Sequence, residues 1–235
     1  MYKGAAKCVP AATTISTVGL PALHPVETEL TTAATDAVLG LLCTGLALVL
    51  ALQPVTEPFK RNVWLAVLIG MALGSFLGAV AHGLQLTEST KALLWKPLYL
   101  SLGVTVALVA VGAVYDWWGI EVARRVLPWA VVAGIVFFAA SQLLGGAFAI
   151  FIAYEGVAII TALTIYTLLA IRGGMPGATA AAVGLVLSMV AAIVQVTPLG
   201  LTLIWRFDHN GLFHLIQMVA IVAMSAGIRQ SLLTP

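Results

Sequence analysis

Charge is scarce in this sequence. Asp, Glu, Lys and Arg make up 9% of the 235 residues and hydrophobic residues 61%, whereas a soluble domain carries roughly 25% charged residues. The shortage excludes water as the main solvent and leaves no room for a large soluble domain. Basic residues stand singly or in pairs and the formal net charge is only +2, so no tract exists to hold nucleic acid. There are two cysteines, Cys8 in a polar stretch and Cys43 in an apolar run, too few for a disulfide framework. The first 25 residues contain Pro10, Pro21 and Pro25 and no continuous apolar core, so a cleavable signal peptide is not expected. No repeat recurs at a fixed period and no matched pair of broken apolar segments marks an inverted-repeat transporter.

Long apolar runs are abundant. A membrane span takes about 20 mostly apolar residues, and the pattern places seven, at Thr35 to Leu52, Val63 to Leu84, Leu93 to Val114, Val126 to Ser141, Ala147 to Ile171, Ala178 to Ile204 and Leu212 to Ile228. The expected fold is therefore all-α, a seven-transmembrane-helix bundle over residues 31–235 behind an extramembrane tail, residues 1–30. Pro198 should kink or end the sixth helix. Pairs such as Gly70 with Gly74 and Gly78 with Ala81 should let helices approach closely. Basic residues near the spans are Lys60, Arg61, Arg124, Arg125, Arg172 and Arg229 on one face and Lys91, Lys96 and Arg206 on the other. The excess predicts a cytoplasmic C-terminus and a non-cytoplasmic N-terminus.

Ionisable residues in or beside spans are costly and mark candidate sites. With seven spans, even helices end and odd helices begin on one face. That face collects His82, Lys96, Tyr99, Gln142, Asp208, His209, Asn210 and His214. Imidazole is a common zinc ligand, and a catalytic zinc site typically has three protein ligands and an open position. The alternative is that these histidines cap helices or bond carbonyls. His214 and Asn210 are four residues apart and share a helical face; His209 joins them only if the helix begins after it. Glu155, about eight residues into the fifth span, needs a partner or a proton. Lys96 is its expected partner by depth, and a general base or proton relay is the functional alternative. Ser75 shares a face with His82. Glu29 and Asp36 are read as helix-start charges.

A histidine ending the second of seven helices, with Phe213-His214 opening the seventh, resembles the CREST superfamily of alkaline ceramidases and progestin/adiponectin-receptor-like proteins. That family carries Ser-x3-His in helix two, an Asp near helix three and His-x3-His in helix seven, which together hold zinc for lipid amide hydrolysis. The resemblance implies zinc held by His82, His214 and His209 or Asn210; beside it, Ser75, Glu155 and Lys96 are the candidate catalytic residues. A membrane lipid amide or ester would be the substrate. Here Gly78 stands where the family has serine, Asn210 where it has a histidine, and Lys96 where it has an aspartate. A non-catalytic bundle is the other expectation, with the same residues forming a polar network for packing, ligand sensing or proton movement.

Overall fold

The structure is a computed structural model that describes residues 21–55, 58–144 and 147–233. Residues 1–20, with Cys8, and residues 56–57, 145–146 and 234–235 lie outside the described residues. Seven helices follow in order: α1 Glu27–Ala51, α2 Pro58–Gly83, α3 Glu88–Trp118, α4 Ile120–Leu143, α5 Ala147–Arg172, α6 Ala178–Gln195 and α7 His209–Leu233. Each is long and apolar enough to cross a membrane; the 25 residues of α1 extend about 37 Å at about 1.5 Å per residue. The chain is an integral multi-pass membrane protein, and the expected all-α seven-helix bundle is what forms.

Helix α1 packs on α2, α2 on α3, α3 on α5, α5 on α6, α6 on α7, and α7 returns to α1. Six helices thus close a ring. Helix α4 sits outside it against α3 and α5, buries mainly Ala123, Gly134 and Phe137, and turns Trp129, Val132, Ile135 and Val136 outward. A single residue, Gly119, joins α3 to α4 with a left-handed φ of 82°, a conformation that favours glycine.

Small residues set the helix spacing, as the sequence predicts. A methyl group on Gly184 of α6 would come within 2.7 Å of the Ala220 carbonyl oxygen of α7, so the two backbones are in direct contact there. Ser101 of α3 donates to the Gly70 carbonyl of α2 at 2.7 Å. In the sixth span the sequence expectation needs correction: the helix ends at Gln195, not near Ile204. Pro198 and Gly200 interrupt the run, and residues 201–207 form a two-stranded hairpin, with Leu201 opposite Phe207. An apolar run therefore continued past the helix because the hairpin tip, Leu203 to Trp205, is itself exposed and hydrophobic.

Both faces of the bundle carry polar anchors. On the face where α1 begins, Leu23 pairs with Leu84, and His24 donates its backbone N–H to the Gly83 carbonyl at 2.9 Å. On the opposite face the Lys60 ammonium pairs with Asp116 and donates to Ser231 Oγ at 2.6 Å. Tyr166 donates to the second Asp116 oxygen at 2.8 Å. The Lys60 and Asp116 side chains are 5% and 4% exposed. A desolvated pair of this kind needs every hydrogen bond it can make, and here four helices supply them.

Candidate functional site

The ring encloses a cavity of about 420 Å³ toward the face where α1, α3, α5 and α7 begin. Its inner part is apolar, with Leu39, Val109, Ile159, Leu185 and Met224. Trp95, Tyr99, Phe148, Phe151 and Phe213 form an aromatic wall. The polar groups are Asp36 from α1, Ser75 and His82 from α2, Thr105 from α3, Glu155 from α5, Ser188 and Gln195 from α6, and Asn210, His214 and Gln217 from α7. His82, Asn210 and His214 all line this one cavity, and Ser75 and Glu155 line it with them.

Two sequence expectations are corrected. Lys96 is exposed, lies outside the cavity lining, and makes no ion pair with Glu155 among the described residues. Trp95 and Tyr99, four residues apart and so on one helical face, occupy the inward side of α3 and leave Lys96 pointing away. His209 is the first residue of α7 and does not line the cavity. The helix does not begin after His209, because Asp208 caps it: Asp208 Oδ1 accepts from the Gly211 N–H at 2.9 Å, the usual capping geometry. The same oxygen accepts from Thr32 of α1 at 2.9 Å.

The histidines are held from behind. His82 Nδ1 lies 2.7 Å from Glu29 Oε2, so a carboxylate on α1 accepts the Nδ1 proton and holds the ring from behind. His214 Nδ1 lies 3.0 Å from Thr35 Oγ1. The Thr35 hydroxyl also stands 3.0 Å and 2.9 Å from the carbonyls of Thr31 and Thr32, to which it can only donate. When it donates to a carbonyl, its lone pair accepts the Nδ1 proton of His214 and Nε2 is the basic nitrogen; with the hydroxyl donating to Nδ1 instead, Nε2–H donates to Asp36. An outer partner on Nδ1 is typical of metal-ligating histidines. His214 Nε2 faces Asp36 Oδ1 at 3.1 Å.

Sequence reasoning undervalued Glu29 and Asp36 by treating both as helix-start charges. Asp36 lies nine residues past Glu27 and is 5% exposed. Its signal was the spacing Thr32, Thr35, Asp36, Leu39, Cys43, one helical face that carries polar residues into an apolar run. Gly78 makes room for it: a methyl group there would lie 3.0 Å from Asp36 Cγ.

A family model matches residues 31–233, that of a family of unknown function designated DUF6962. The chain belongs to the DUF6962 family. The match takes in all the helices that line the cavity. No curated protein and no solved structure matches the chain.

Proposed function

We propose that this DUF6962 protein is a membrane-embedded, zinc-dependent hydrolase of a lipid amide or ester. The supporting observation is the cavity: its volume falls in the usual range for small-molecule sites, roughly 300–1,000 Å³, with histidines and carboxylates at one end and aliphatic and aromatic walls beyond. That gradient suits a molecule with a polar head and an acyl chain.

The donor chemistry fits zinc, since two imidazoles each carry an outer partner on Nδ1 and a carboxylate lies beside one of them. Among the described residues, no three His, Cys, Asp or Glu side chains form a metal-binding group as placed, so holding an ion requires the His82 ring to draw toward His214. His82 and His214 would supply the ligands, with Asn210 beside them. When bound, zinc lowers the pKa of a water ligand and polarises a carbonyl. Glu29 and Thr35 hold the two rings in orientation. Glu155, half-buried and facing the same cavity, is placed to accept or return a proton. Ser75 and Asn210 offer hydrogen bonds to a polar head, and the aromatic wall excludes water from the acyl chain.

Elemental analysis of the purified chain should find about one zinc per chain, and lipid amides or esters in mixed micelles should be cleaved, with cleavage lost in His82→Ala and His214→Ala. A metal-free, inactive protein would favour a second function, a proton-binding network. That function has its own support, because the Thr35–His214–Asp36 chain is complete with a single proton between Nε2 and the carboxylate.

A further inference from the structure

We infer that Asp36 of α1 is a direct metal ligand, the third protein donor beside His82 and His214. The inference rests on the hydrolase function proposed for the same cavity and changes its ligand set, since neither α7 residue at positions 209 and 210 is needed. Four observations carry it.

The first is the hydrogen-bond chain behind His214. Thr35 stands within hydrogen-bond distance of two helix carbonyls and of Nδ1; when its hydroxyl donates to a carbonyl, Nδ1 keeps the ring proton and Nε2 presents a lone pair. That lone pair faces the Asp36 oxygen at 3.1 Å. Two lone pairs at this distance repel unless a cation stands between them, and the cation is either a proton or a metal. The second is the distance itself. Two donors on a tetrahedral zinc, each at about 2.0–2.1 Å, stand about 3.3 Å apart. Asp36 and His214 already form an edge of nearly that length.

The third is the room made for the carboxylate. Gly78, one turn before His82 on α2, lies against Asp36, and any side chain there would push the carboxylate off His214. The fourth is the poverty of the alternatives. His209 lies outside the cavity lining. Asn210 lines it but offers a neutral amide oxygen, a much poorer zinc donor than a carboxylate, imidazole or thiolate. Two histidines and a carboxylate is a donor set that catalytic zinc sites use, and it leaves a fourth position open.

The test uses the full chain purified in detergent, stripped of metal and titrated with zinc and with cobalt(II). Wild-type protein should bind about one ion per chain. Asp36→Asn should weaken binding by at least about tenfold, while His209→Ala, outside the cavity lining, should stay within about threefold of wild type. Asp36→Cys supplies a readout that a merely structural role would not move: cobalt should give a thiolate-to-metal charge-transfer band in the near ultraviolet, absent from wild type and from Asp36→Asn. Metal binding that survives in Asp36→Asn, with no such band in Asp36→Cys, overturns the ligand role of Asp36 and leaves the hydrolase standing. Wild-type protein that binds neither ion overturns both. Should Asp36→Asn fail to fold, the cobalt spectrum of Asp36→Cys alone decides.

Discussion

Asp36 and Gly78 form a lock between two helices at the scale of single residues. The carboxylate occupies the space a β-carbon would need, with Cγ at 3.0 Å and Oδ1 at 3.2 Å from that position. Gly78→Ala therefore overpacks the site and should cost about 1–3 kcal/mol. Placed on Asp36→Ala, the same methyl group enters vacated space, so its cost should fall, with a coupling of at least about 0.5 kcal/mol. Thermal or denaturant melts of the four proteins in the cycle measure this directly, and additive costs would mean that the two residues do not press on each other. Neither partner was legible alone: Asp36 looks like a helix-start acid and Gly78 like a packing glycine, and only their apposition shows that one exists for the other.

Between elements, the buried Lys60–Asp116 pair with Tyr166 and Ser231 clamps α2, α3, α5 and α7 at the end opposite the cavity. Lys60→Met leaves Asp116 buried with Tyr166 as its remaining partner, and losing one member of such a pair costs about 3–5 kcal/mol. Lys60→Met combined with Asp116→Leu should recover most of that loss, since a hydrophobic replacement of the whole pair is often neutral or better. Melting the single and double variants in the same detergent checks it; a double variant no more stable than the single would show that the ion pair is not what holds these helices. Sequence reading treated Lys60 as a loop charge at the membrane edge. It missed the clamp because Asp116 lies 56 residues away and Ser231 171 away, separations at which no periodicity connects them.

For the whole molecule, we propose an orientation from the basic residues that remain outside the core. With Lys60 buried and paired, Arg61, Arg124, Arg125, Arg172 and Arg229 still outnumber Lys91, Lys96 and Arg206, which favours the cavity face on the non-cytoplasmic side. In a chain carrying Cys8→Ser and Cys43→Ala, a membrane-impermeant maleimide should label Leu203→Cys, at the exposed hairpin tip, in intact cells and should spare Arg125→Cys on the other face until the membrane is opened. The reverse pattern would place the cavity mouth in the cytoplasm.

Hydropathy and charge determined, without any tertiary information, that seven helices span a membrane and which polar residues share one of its faces. The physical reason is that lipid tolerates few ionised or unpaired polar groups, so the solvent writes the spans into the sequence residue by residue. The same rule led to His82, Asn210, His214, Ser75 and Glu155, all of which line one cavity. What only the tertiary structure decided was the pairing: Lys96 turned away from Glu155, His209 left outside the lining, Glu29 behind His82, and Asp36 against His214. Those outcomes depend on how each helix is rotated about its axis. Rotation is set by close contacts such as Gly184 with Ala220 and Gly78 with Asp36, between residues that a linear pattern cannot bring together.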